Sequence, residues 1–421
     1  MRKFLNAYQS VFGVINYVAF VLVLVSLAFP WHFTQPLFAV WLVTWLLEGR
    51  WTDKTNFSFG RHTMPVLLMG GFVVWEALSL LWTQDLNSGI SELERHLPIF
   101  VVILMTLFGG NKYYQSYKLK TALLVGCLLA LLSYSMIVYW CSITKVLGSW
   151  TINYWTFFGE GPIEYIKHRQ YLCIALLLAL CFSGDIYRHY VSKYPKYVCM
   201  TIIGLADLIL IAAIVMTGSR TTILLLPILG MIYILRVLPG RYKWFFASGL
   251  IVIVIAAGIV LPRYNWRFES MKKDVVALFT AHQDPAAIHE PRALIWTTVV
   301  RHSDDFGWFG LGTGSSDEFL QKCYQEEQID MHYGSHNNYL YFFMELGWFG
   351  LIYFIGMLIA IPFFHTGGAR RDATMACIIF GWSMMAENLM TMMSGLYIFF
   401  AAIIIIQCLQ RESDSQLPSR P

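Results

Sequence analysis

Charge is what this sequence lacks most. Lys, Arg, Asp and Glu make up 13% of its 421 residues and apolar side chains 57%, whereas an ordinary soluble domain carries roughly twice that share of charge. A water-soluble fold has nowhere to hide so much apolar surface. Metal-ligand spacing is missing too: there is no CxxC pair, and of eight Cys all but Cys323 lie in or beside apolar runs, where they read as small hydrophobes. That removes a zinc site and a disulfide framework. A net charge of +4 gives no support to nucleic acid binding. The basic start Met1-Arg2-Lys3 precedes an apolar run too long for a signal-peptide core and without a small-residue cleavage site before Pro30, so it reads as a retained first span.

Instead the chain has apolar runs near the ~20 residues that cross a bilayer as helix. The runs predict an all-α integral membrane protein with about twelve spans, at 11–29, 36–47, 64–82, 97–109, 121–141, 170–183, 197–216, 221–238, 244–262, 338–362, 373–388 and 395–409. With both termini in the cytoplasm, inward loops hold Arg50, Lys54, Arg61, Lys112, Lys118, Lys120, Arg188, Lys193, Lys196, Arg236, Arg241, Lys243, Arg370 and Arg371. Short outward segments hold only Arg95, Lys145, Lys167, Arg169 and Arg220, the asymmetry the positive-inside rule demands. Three regions follow: spans one to nine over 1–262, a long outward loop over 263–337, and the last three spans with a short tail over 338–421. The loop is too long for a simple connection and expected to carry function. Pro291 can open a helix in which Leu294, Ile295, Val299 and Val300 recur at helical spacing, a short amphipathic element at the membrane boundary.

Three outward positions carry candidate chemistry. Thr217-Gly218-Ser219-Arg220 is a tight turn between spans; Ser219 is placed to cap the next helix, and Arg220 offers a two-pronged fork for phosphate. A snorkelling arginine at a span end is the plainer alternative. Arg292 follows Pro291, where a solvated loop arginine is the commonest reading. His336, in Ser335-His336-Asn337-Asn338-Tyr339-Leu340, stands where the long loop meets a span and suits a general base, although alone it reads more simply as an interfacial hydrogen-bonding residue. Gly310-Leu311-Gly312-Thr313-Gly314 lacks the Lys-Ser/Thr and the strand of a phosphate loop and reads as a flexible turn. Asp304, Asp305, Asp317, Glu318, Glu326 and Glu327 have no metal-specifying spacing and read as a solvated face. Glu76, Glu345 and Glu387 lie in or at the ends of apolar spans, where a carboxylate is costly and needs a partner that sequence does not name.

Taken together, Thr217-Gly-Ser-Arg220-Thr-Thr, Pro291-Arg292, and His336-Asn337-x-Tyr339-Leu340 followed by Glu345-Leu-Gly347-Trp-Phe-Gly350 resemble the O-antigen ligase and polymerase superfamily. Ser79-Leu-Leu-Trp82-Thr-x-Asp85 and Gly310-Leu-Gly312 extend the resemblance over most of the chain. It implies a fold like that of GT-C membrane glycosyltransferases, with one long periplasmic loop containing short helices, in the bacterial inner membrane. It further implies a donor glycan on undecaprenyl diphosphate and an acceptor hydroxyl on lipid A-core or another glycan. On this pattern Arg220 and Arg292 hold the lipid diphosphate and His336 activates the acceptor. Arg95, His168, Arg169, Ser219, Asn337 and Tyr339 would assist in binding substrate. The first outer loop, Pro30-Trp31-His32-Phe33-Thr34-Gln35, has no carboxylate to hold a metal, so no metal or other cofactor is expected. A polymerase using a second lipid-linked glycan as acceptor is the nearest alternative. A transporter is further off, since no internal repeat is visible and the candidate residues crowd one face.

Overall fold

The computed structural model describes residues 2–30, 33–53, 56–144, 169–237, 240–264, 291–326 and 332–416, and among these every regular element is helical. The long elements are α1 (Arg2–Ser26), α2 (Thr34–Glu48), α3 (Met64–Ser79), α4 (Leu86–His96), α5 (Pro98–Phe108), α6 (Ser116–Thr144), α7 (Arg169–Val191), α8 (Lys196–Met216), α9 (Arg220–Val237) and α10 (Gly240–Tyr264). Short helices α11 (Pro291–Arg301), α12 (Ser303–Phe306) and α13 (Ser316–Glu326) follow, then α14 (Asn338–Phe364), α15 (Gly367–Ser383) and α16 (Met393–Gln416). Each of the apolar runs overlaps one of these helices, and among the described residues 7 helices are long and apolar enough to cross a membrane.

Burial sorts the helices by place. Tyr171 to Ala179 of α7 are buried without a break, as expected of a helix surrounded on all sides. In α10, by contrast, Val252, Ile253 and Ile255 are all more than half exposed. An apolar face left open to this degree suits lipid rather than water. At the α6 start, Lys120 lies within the helix and is buried against Asp185 of α7 and Asp372 of α15, with Arg371 also on Asp185 at 2.5 Å. Its charge is therefore spent in tying three helices together and is not a loop charge as the sequence pattern suggests. This network lies at the end of the bundle opposite His336.

Two departures from expectation shape the site. The eleventh span was expected to run to 388, yet α15 stops at Ser383 and residues 384–392 form an irregular turn. The Met384 carbonyl is taken by the Asn338 N–H at 2.9 Å, which closes the helix there. Second, the Gly310–Gly314 segment is locked rather than flexible. Helix α14 breaks at Gly347 (φ 65°), freeing backbone groups that an apolar setting cannot leave unpaired. The glycine-rich segment takes them: Leu311 N–H donates to Met344 O (2.9 Å), Gly312 N–H to Glu345 O (2.8 Å), and Trp348 and Phe349 N–H groups donate to Gly307 O and Trp308 O (3.2 and 3.1 Å). Backbones approach so closely that a Cβ on Gly310 would lie 2.3 Å from the Glu345 carbonyl carbon.

Candidate functional site

Four chain segments meet at one end of the bundle, around His336. Helix α11 forms as its Pro291 start and Ile295/Val299 spacing predict, and both of those residues are wholly buried against Phe306, Leu320, Tyr324, Phe343 and Met344. Cys323, expected in a polar stretch, is buried beside them. Arg292 and Trp296, four residues apart, share one face of α11. Trp296 Nε1 donates to Ser335 O at 3.3 Å, which brings Arg292 alongside the segment before α14. Asn337 caps α14, its Oδ1 accepting from Tyr339 N (2.9 Å) and Leu340 N (3.2 Å). His336 itself adopts φ 45°, a left-handed conformation uncommon outside glycine though tolerated by His, and it remains one-third exposed.

The turn after α15 supplies the group that unites them. Glu387, 9% exposed at its side chain, places Oε1 3.4 Å from His336 Nδ1 and Oε2 3.8 Å from the Arg292 guanidinium. These are ion-pair separations, longer than hydrogen bonds, and leave room to tighten around a ligand. Beside them Ser335 Oγ donates to Asn388 Oδ1 (3.1 Å), and Asp317 lies near enough to Gly334 that a Cβ there would meet its carboxylate at 2.9 Å. Partial burial raises the Asp317 carboxyl above its ordinary range, and His336 opposes that rise. Asp317 is nonetheless exposed, as the solvated-face reading expects, and its carboxylate faces Gly334, two residues before His336.

The three carboxylates flagged by their apolar setting all have partners. Glu76 holds His96 at 2.8 Å; Glu345 accepts from Gly314 N (3.0 Å) and Ser316 Oγ (2.9 Å); Glu387 bridges Arg292 and His336. Sequence reasoning marked Glu387 as costly without finding its role. The signal was there, but its partners lie far away in the chain.

Arg220 opens α9 after a left-handed Gly218 (φ 62°) and is half-buried. Ser219 is buried, its hydroxyl donating to Gln170 Oε1 (2.8 Å) and bonded to Thr222 Oγ1 (2.9 Å); Trp382 of α15 donates to Thr221 O (2.9 Å). The first turn of α7 is therefore joined to the turn before α9 by Gln170, which faces Ser219. Arg169 begins α7 at the same end. Arg95 donates to Thr391 O (2.8 Å), and Tyr339 donates to Gly381 O (2.8 Å), so both brace the backbone around the site. His168 lies outside the described residues. Among the described residues no group of three or more His, Cys, Asp or Glu is placed to hold a metal. A cavity of about 300 Å³ lined by Asn111, Tyr114, Gln407 and Arg411 lies at the far end of α5 and α16, away from this chemistry.

The bundle thus brings Arg292, His336 and Glu387 together at one end. The O-antigen ligase family model matches residues 205–355, from within α8 into α14, and that stretch holds Arg220, Arg292 and His336. The match supports a place in the O-antigen ligase and polymerase superfamily and a glycosyltransferase-type activity on lipid-linked glycans in general. No curated protein matches the chain.

Proposed function

We propose that the protein is an O-antigen ligase-type glycosyltransferase, moving a glycan from undecaprenyl diphosphate to a sugar hydroxyl of lipid A-core at the periplasmic face of the inner membrane. The observation that carries this reading is the placement of Glu387 between His336 and Arg292. The acceptor oxygen attacks the anomeric carbon and its proton passes to His336. The bond from that carbon to the diphosphate oxygen breaks, and the lipid diphosphate leaves with the electron pair. Two demands follow: a base for the hydroxyl and positive charge for the departing diphosphate. His336 answers the first. With Nδ1 turned to Glu387, Nε2 is the nitrogen that takes the proton, and the carboxylate stabilises the resulting imidazolium. Arg292, 40% exposed and only loosely paired, can exchange Glu387 for phosphate at little cost, and Arg220 supplies the second fork. The donor is already activated, so neither a nucleotide nor a metal is required.

Purified protein reconstituted with lipid A-core and a single lipid-linked repeat tests the proposal. His336→Ala should slow transfer about 10²- to 10⁴-fold, the usual contribution of a general base, while donor affinity is retained. Near-normal transfer by a folded His336→Ala protein would remove the base and with it the mechanism. The family also covers polymerases, and growth of the lipid-linked chain without transfer to core would select that alternative.

A further inference from the structure

The turn that carries Glu387 is held from two sides by side chains that do not reach the reacting groups. His96, the last residue of α4 and 7% exposed, sets Nδ1 2.8 Å from Glu76 Oε2 and Nε2 2.8 Å from Met390 O. A carbonyl oxygen only accepts, so Nε2 carries a proton. Nδ1 faces a carboxylate that is itself 2% exposed, so the pair retains a further proton between them. The preceding residue, Arg95, donates to the next carbonyl, Thr391 O, at 2.8 Å. From the other side Asn338 Oδ1 accepts the Met390 N–H (3.1 Å) while the Asn338 N–H holds Met384 O (2.9 Å). Both backbone groups of Met390 are therefore taken by side chains from two different helices. Glu387 lies between these fixed points, and His336 is two residues before Asn338 in the chain.

We propose that His96, held by Glu76, is a positioning residue for the transfer reaction: through Met390 it fixes Glu387 relative to His336 and Arg292. The proposal rests on the reading of His336 and Glu387 given above. A turn of this kind, held only by solvent, would let the carboxylate wander by an ångström or more, and a misplacement of that order costs up to about 10²-fold in rate.

A double-mutant cycle tests it, using His96→Ala, Glu387→Gln and the double variant in the reconstituted assay, with turnover and donor KM scored separately. His96→Ala should lower turnover roughly 10- to 100-fold and leave donor KM within about twofold. In the Glu387→Gln background the same change should cost less than about twofold, because the group it positions has already been removed. His96→Gln, which keeps a donor for the Met390 carbonyl, should recover part of the rate, and it replaces the alanine variant in the cycle if that protein does not fold. Equal losses in both backgrounds, with Glu387→Gln itself slow, would overturn the positioning role alone. Normal turnover by Glu387→Gln would instead overturn the reading of the carboxylate, and the role of His96 would fall with it.

Discussion

Alanine at Gly310 should be among the most damaging small substitutions in the chain. Gly310 has φ 73°, and a left-handed residue carrying a Cβ costs about 1–2 kcal/mol. Its added Cβ would lie 2.3 Å from the Glu345 carbonyl carbon, 2.4 Å from that carbonyl's oxygen and 2.5 Å from Gly347 N, all main-chain atoms that no rotamer change can move. Relief requires the two backbones to part, which strains the four hydrogen bonds joining residues 307–312 to 344–349. At about 1 kcal/mol each these bring the expected cost to roughly 5–6 kcal/mol. Gly367→Ala is the control: its φ is also positive, at 52°, yet nothing lies within 4 Å of the new Cβ. Thermal unfolding of the detergent-solubilised proteins should show a small loss at 367 and a large one, or no folded protein, at 310. Equal midpoints for the two variants would refute the claim that the glycine-rich segment is locked against the helix break.

A fall in stability with rising pH should come from His96. Burial by itself would discharge the imidazole, but the Glu76 carboxylate and the Met390 carbonyl outweigh it and raise the pKa to about 9. Because the folded value lies above the ordinary 6.5, the pair's contribution is complete below about pH 6.5, shrinks above it and is lost as pH passes about 9, on the order of 3 kcal/mol in all. Unfolding midpoints measured from pH 6 to 10 should slope downward in that window, and His96→Gln should flatten the slope; an unchanged slope would assign it elsewhere. Transfer should also survive exhaustive chelation, since Arg220 and Arg292 supply the charge a metal otherwise would. Activity lost in EDTA and restored by one divalent ion would redirect attention to Asp304, Asp305 and Asp317.

The helices were legible because their signal is local. Each apolar run sets its own length, and Ile295 and Val299 announce a buried face through spacing alone. Helix α4 was overlooked, although Asp85 accepts from Ser88 N as an N-cap (3.0 Å) and Leu86, Ile90 and Leu93 follow at helical spacing. Its polarity hid it among the spans. Gly310 to Gly314 was misread for a different reason: glycine is used both where a chain must flex and where two backbones must touch, and only the facing segment decides between them. The end of α15 was misplaced because apolar composition continues through Leu389 and Met390, while the stop is imposed by Asn338 from another helix.

What sequence could not supply is the relation between His336 and Glu387, and that relation decides whether a histidine at a helix start is ornamental or chemical. His336 alone, next to the helix cap Asn337, would pass for an interfacial residue. A carboxylate at 3.4 Å, kept 9% exposed in the turn after an apolar helix, changes the weighing, because burying it is costly and an apolar residue would serve stability better. Two of its neighbours are a partly open histidine and a partly open arginine, groups that can also face a ligand. Side chains deeper in the fold, His96 and Asn338 among them, then spend their hydrogen bonds on holding the turn that carries it. On the function proposed above, a carboxylate set beside two outward-facing groups, on a turn fixed from within, acts on a substrate that arrives from outside the bundle.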